Sequence, residues 1–134
     1  MMRNDLVDLN PGKGMAQAAH ASNQAVHDAA NLTNPLMKTL FRDLMKTLFR
    51  EWQGQAQGFG TTIVLSTSKS DIQRIIPLAV SEGYLSNFVF DTSYPIKDGA
   101  DTLHVNALTC AYVFVGPYTE DYETEIQLRR LSLY

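Results

Sequence analysis

The stretch Pro11-Gly-Lys-Gly-Met-Ala-Gln-Ala-Ala-His-Ala-Ser-Asn-Gln-Ala-Val-His27 constrains this chain more than any other. It is rich in alanine, and its larger polar residues, Lys13, Gln17, His20, Gln24 and His27, recur at spacings of four, three, four and three. At ~100° per residue these five positions fall within an arc of about 80° on a helix. The other side carries Ala16, Ala18, Ala19, Ala25, Val26, Ala29 and Ala30, groups small enough to let a helix lie close on a sheet. Asn10 is a suitable N-cap and Pro11 suits a first helical position, so the pattern predicts a helix over 11–30 that Asn31 to Pro35 ends. A polar stripe of this kind is ordinarily a solvated face. This one lacks the Glu and Lys that a surface face favours, beyond Lys13 itself. Lys13 also stands in the first turn, where the helix dipole disfavours a cation unless an anion is near to share it.

The elements around this helix predict an α/β layer. Residues 3–9 read as a short strand closed by the turn signal Asn10-Pro11-Gly12. An octapeptide is duplicated at 36–51, as Leu36-Met-Lys-Thr-Leu-Phe-Arg42 and Leu44-Met-Lys-Thr-Leu-Phe-Arg50. Two copies are too few for a solenoid and read as one lengthened helix. Its Leu36, Met37, Leu40, Phe41, Leu44, Met45, Leu48 and Phe49 form an apolar stripe. Lys38, Arg42, Lys46 and Arg50 recur on the other side, as solvated charges or as a stripe that tracks phosphates. After a loop over 53–60, Thr61 to Ser66 reads as a buried strand. Ser70-Asp-Ile-Gln73 reads as a capping box that opens a helix, kinked or broken at Pro77 and stopped at Gly83. Asn87 to Asp91 is a short strand, Thr92 to Asn106 a loop, and Ala107 to Val115 the most strand-like run in the chain. Gly116-Pro117 ends it, and Thr119 can cap a last helix to about Arg130. The expected fold is a single-domain three-layer α/β fold over 1–134, a small mixed four-stranded sheet with helices on both faces.

Composition narrows the function classes. With 134 residues, 45% of them hydrophobic, the chain can bury one sizeable core. A net charge of −3 argues against broad, nonspecific nucleic-acid binding and leaves only a local basic patch for such contacts. The one cysteine, Cys110, sits in an apolar run, which excludes a disulfide framework and fits a reducing compartment. No signal peptide or membrane span is visible, so the expected location is cytoplasmic. His20, His27 and His104 lack the spacing and the companion ligands of a metal site, and Gly12-Lys13-Gly14 lacks the frame of a P-loop. With no Gly-x-Ser-x-Gly elbow, a covalent nucleophile is not expected either. Asp91 at a strand end and Lys13 at a helix start remain. They could meet at one sheet edge, as a structural ion pair or as a water-orienting base and an anion anchor.

These residues resemble the type 2 peptidyl-tRNA hydrolases. Gly12-Lys13-Gly-Met-Ala-Gln17-Ala-Ala-His20-Ala21 is similar to that family's Gly-Lys-x-x-Ala-Gln-x-x-His-Ala signature. Arg3-Asn-Asp-Leu6, Phe88-Val-Phe-Asp91, Thr109 and Val115-Gly-Pro117 stand in the order of its other landmarks. The resemblance implies hydrolysis of the ester joining a peptide to the 3′ ribose of tRNA, with peptidyl-tRNA as partner and no cofactor. It implies that Lys13 stabilises the oxyanion or holds the terminal phosphate and that Asp91 orients or activates water. Gln17, His20 and Thr109 would position these groups or the substrate. The chain departs from the family at Pro11, where a second lysine is usual, and at Ser93-Tyr94-Pro95, in place of a Gly-Arg-Thr after the aspartate. The duplicated octapeptide has no counterpart, and its Lys38, Arg42, Lys46 and Arg50 could supply phosphate contacts and its apolar side a homodimer contact. The alternative function is a catalytically impaired RNA- or protein-binding module of the same fold.

Overall fold

The computed structural model describes residues 1–32, 39–58, 60–116 and 122–134. In chain order its elements are β1 (Met2–Arg3), α1 (Pro11–Ala30), α2 (Thr39–Gly54), a 3₁₀ turn (Ala56–Gly58), β2 (Leu65–Thr67), α3 (Lys69–Ser81), β3 (Leu85–Asp98), β4 (Asp101–Phe114), α4 (Glu123–Arg129) and β5 (Ser132–Leu133). The sheet has five strands in the order β3-β4-β1-β2-β5, one more than expected, because Ser132–Leu133 adds an edge strand beside β2. The α/β class and the mixed sheet stand: β1 runs parallel to β2 and antiparallel to β4. No helix among the described residues is long and apolar enough to cross a membrane.

Helices cover both faces of the sheet, and the core divides accordingly. On one face α1 and α2 bring Ala25, Ala29, Met45 and Phe49 onto Met2, Val89, Cys110, Tyr112 and Phe114. Phe49, Trp52 and Phe114 form a triangle of rings with centroids 5.0–6.0 Å apart, a packing worth ~0.5–1.5 kcal/mol per pair beyond the area it buries. On the other face Ile72 and Ile76 of α3 pack on Leu108 and Ala111.

Several expectations need correction. The opening strand is only Met2–Arg3. Leu6 and Val7 belong to a turn with Asp8 at φ 57°, pinned to the sheet where Tyr94 donates to the Val7 carbonyl and the Lys97 amide to Asp8. The strand expected at 61–66 is confined to Leu65–Thr67. The helix over 69–81 opens two residues earlier than expected, because Ser68 and not Ser70 accepts from the Asp71 amide and donates back to its carboxylate. This helix continues through Pro77. The last helix starts at Glu123 with Tyr122 at its N-cap position; Thr119, Pro117 and the chain over 33–38, which includes Lys38, lie outside the described residues. In α2, Met45 and Phe49 are buried as the stripe requires, whereas Leu44 is exposed.

The largest correction concerns 92–106. This stretch is a long β-hairpin, not a loop, paired from Leu85↔Phe114 down to Asp98↔Asp101 and turned at Gly99, whose φ of 62° suits glycine. Pro95 is tolerated there because β3 is an edge strand.

Candidate active site

The hairpin carries two register shifts, and the candidate residues sit on them. Val89 pairs with Cys110 but Phe90 with Leu108, so Thr109 is an extra residue on β4. Asp91 pairs with Ala107 but Tyr94 with Val105, so Thr92 and Ser93 together face Asn106. Bulges of this kind turn side chains that regular alternation would send to opposite faces. Here the first lets Thr109 and Cys110, though adjacent, both meet α1: the Thr109 hydroxyl reaches the Gln17 side chain and the Cys110 thiol the Gln17 carbonyl. Burial pushes the Cys110 thiol pKa up, which keeps it protonated and able to donate. Arg3 spans the same irregularity by donating to the Leu108 carbonyl at 2.7 Å.

Gln17 is the hinge of the site. It is buried, on the side of α1 that meets the sheet, together with Gly14, Ala25 and Ala29. Sorting the helix by residue type put Gln17 on a displayed face and Ala16, Ala19 and Ala30 on a packed one; those three alanines are exposed. A buried primary amide needs partners at both ends. Thr109 Oγ1 donates to Gln17 Oε1 at 2.5 Å, and Gln17 Nε2 donates to Asp91 Oδ2 at 2.7 Å. Thr109, with no exposed surface, thereby fixes which way the amide points. The other carboxylate oxygen, Asp91 Oδ1, accepts from the Ser93 amide at 2.9 Å, a bond that the second bulge makes possible. Among the described residues each oxygen of Asp91 thus has one donor, which leaves further lone pairs for a water.

Lys13 and Asp91 form no ion pair; Asp91 is held by Ser93 within the second bulge and Lys13 by the residues just after it. The Lys13 ammonium donates to the Pro95 carbonyl at 2.7 Å and lies 5.1 Å from the centre of the Tyr94 ring. Tyr94 is fully buried and anchored through its hydroxyl to Val7, and burial raises its pKa, so the ring under the lysine is neutral. One of the three ammonium protons is committed to Pro95, leaving two for a ligand. Asn10 caps α1 by accepting from the Lys13 amide at 3.0 Å, which fixes the backbone from which this side chain projects. Gly14, the next residue, lies against the Tyr134 ring: a Cβ there would stand 2.6 Å from its hydroxyl oxygen.

His20 is exposed and joins no hydrogen bond among the described residues; with Asn23, Gln24, His27, Val89 and Phe90 it borders a shallow groove one turn along α1 from Gln17. His104 lies beyond the second bulge, with Nδ1 3.0 Å from the Ser93 hydroxyl. Arg42, Lys46 and Arg50 are on α2 and do not join the hydrogen bonds around Asp91. Sequence reasoning missed the parts played by Tyr94, the Pro95 carbonyl and the Ser93 amide. Their only signal was that Ser93-Tyr94-Pro95 departs from the family pattern. No group of His, Cys, Asp and Glu that could hold a metal ion occurs among the described residues.

The chain matches the family described as Peptidyl-tRNA hydrolase PTH2 over residues 1–133. Neither the curated proteins nor the solved structures contain a match to it.

Proposed function

The chain belongs to the peptidyl-tRNA hydrolase PTH2 family, and from that premise we propose that it hydrolyses the ester between a peptide and the 3′ ribose of tRNA in the cytoplasm. The observation that carries this reading is the Thr109–Gln17–Asp91 chain of hydrogen bonds beside a lysine with donors to spare. Ester hydrolysis needs a water aimed at the carbonyl carbon and a cation where negative charge develops on its oxygen. In this proposal Asp91 holds the water and takes its proton, and Lys13 faces the oxyanion of the tetrahedral intermediate. The bond to the ribose oxygen then breaks, the proton passes from Asp91 to that oxygen, and the peptide leaves as a carboxylic acid that gives up its remaining proton to bulk water. Gln17 orients Asp91, and the buried Thr109 orients Gln17. His20 and the neighbouring groove contact the substrate. Lys38, Arg42, Lys46 and Arg50 meet tRNA phosphates.

Turnover of a peptidyl-tRNA by the wild type, Lys13→Ala and Asp91→Asn tests the assignment. Loss of hydrolysis in both variants, with folding and tRNA binding kept, is the expected result. Tight tRNA binding by a wild type that turns nothing over would make the protein a binding module of this fold instead.

A further inference from the structure

Lys13 is placed against the electrostatics of its own helix. It stands in the first turn of α1, which holds no acidic residue and where the aligned peptide dipoles repel a cation. Among the described residues no carboxylate forms an ion pair with it. What holds it comes from the hairpin. The Pro95 carbonyl accepts from the ammonium at 2.7 Å, and the Tyr94 ring lies beneath it with its centroid 5.1 Å away, inside the ~6 Å reach of a cation–π contact. A single hydrogen bond leaves the flexible four-carbon stem of a lysine free to swing, and a second contact restricts it.

Of these two partners Tyr94 is the more firmly fixed. It is 1% exposed, and its hydroxyl donates to the Val7 carbonyl at 3.0 Å. The next residue of that turn, Asp8, accepts from the Lys97 amide, so the turn and the hairpin are tied on both sides of Pro95. The ring is therefore held by its backbone in β3 at one end and by its hydroxyl at the other. The kind of partner matters as much as its place. A carboxylate beside Lys13 would neutralise the charge that a developing oxyanion needs. A carbonyl oxygen and the face of a ring attract the ammonium through partial charges alone and leave it a full cation.

We propose that Tyr94 is a positioning residue for the hydrolysis: its ring, tied through the hydroxyl to Val7, holds the Lys13 ammonium where the oxyanion forms. Tyr94 itself touches no substrate. The inference deepens the reading given above and rests on it for the rates, whereas the place of Lys13 is measured without turnover.

The test separates ring from hydroxyl in the full chain. Tyr94→Phe keeps the ring and removes the bond to Val7; a lower melting temperature is expected, with kcat reduced no more than about threefold. Tyr94→Leu removes the ring, and kcat should fall about tenfold with KM within about twofold, because the oxyanion contact is made only in the transition state. A phenylalanine bearing three ring fluorines at this position keeps the shape but drains negative charge from the ring face, so its kcat should lie severalfold, roughly three- to fivefold, below that of Tyr94→Phe. In NMR spectra the ε-methylene protons of Lys13, identified by their loss in Lys13→Gln, should be shifted upfield by the ring in the wild type and in Tyr94→Phe but not in Tyr94→Leu. A wild type that shows this pattern of shifts and turns over no peptidyl-tRNA sinks the hydrolysis reading while Tyr94 still holds Lys13. Unshifted protons in the wild type, or an equal shift in Tyr94→Leu, overturn the placement. Equal kcat in Tyr94→Phe and its fluorinated form overturns the part given to the ring, and that pair decides the matter if Tyr94→Leu fails to fold.

Discussion

Two carboxylates lie on the interface between α1 and the hairpin, each gripped by a glutamine of the helix, and they are treated oppositely. Gln24 donates to Asp28 at 2.7 Å as Gln17 donates to Asp91 at 2.7 Å. Around Asp28 the donors do not stop there: Tyr112 Oη at 2.6 Å and Asn87 Nδ2 at 3.1 Å crowd its second oxygen, where β3 and β4 keep regular register. Asp91 lies between two bulges and receives one donor per oxygen, with a lysine anchored nearby. A carboxylate held by three donors locks a helix to a sheet. One held by two, beside spare cationic donors, can do chemistry. The bulges make the difference by turning Thr109 toward Gln17 and by bringing the Ser93 amide back to Asp91.

If that contrast is right, the same substitution at the two sites separates function from stability. Asp91→Asn is expected to lower kcat/KM for peptidyl-tRNA by about 10²–10³-fold, the range of a lost base or electrostatic group, with the melting temperature nearly kept. Asp28→Asn is expected to leave kcat/KM within about threefold and to destabilise the fold by ~1–3 kcal/mol, because three donors, the buried Tyr112 among them, lose their charged acceptor. A large activity loss in Asp28→Asn, with structure retained, breaks the comparison.

Thr109→Val sharpens it. The variant keeps the shape but frees the Gln17 amide to turn its oxygen toward Asp91, and a loss of about tenfold in kcat with little change in KM is expected. Thr109→Ser, which keeps the hydroxyl, should restore most of it. Equal activity in both variants would mean that Gln17 needs no orientation.

The features that produce this contrast were unequally legible in the sequence. The helix over Pro11–Ala30 and its Asn10 cap could be read because capping and turn chemistry are local. The hairpin could not: Pro95, Gly99 and the charges around them imitate a loop, and only the edge position of β3 makes proline acceptable there. A bulge leaves no periodic trace, so Thr109 entered through resemblance and not through pattern. Gln17 was placed on the wrong side of α1 because residue type stood in for burial. A polar group goes inside when, as here, both ends of its amide find partners, and those partners are 74 and 92 residues away in the chain.

The stability half of the comparison also has a pH signature. Burial pushes the Asp28 pKa up, but hydrogen bonds from Tyr112, Asn87 and Gln24 outweigh it and leave the carboxyl below its ordinary range. A depressed folded pKa means that the contribution is complete above the unfolded value of ~3.9 and disappears as pH falls through the folded one. Denaturant midpoints of the wild type should therefore drop below about pH 4, and those of Asp28→Asn should drop less steeply. Tyr112→Phe, which removes one of the three donors, should fall between them, costing on the order of 1 kcal/mol at neutral pH.

The smallest effect is expected on α2, whose described cations bond to neither carboxylate. Met45 and Phe49 of the repeat helix are buried on the core while Arg50 is exposed and Arg42 and Lys46 are half-buried. A chain with net charge −3 has little general attraction for phosphate, so whatever attraction exists must come from local cations. Each cation that neutralises a tRNA phosphate releases counterions and steepens the dependence of log K on log salt by somewhat less than one. Changing Arg42, Lys46 and Arg50 to Gln together should flatten that slope by about two to three if all three touch the backbone, and should leave kcat at saturating substrate unchanged. An unchanged slope would reduce the repeat to a docked helix with solvated charges. Recognition of tRNA would then rest on α1 and the hairpin, beside the carboxylate left open for water.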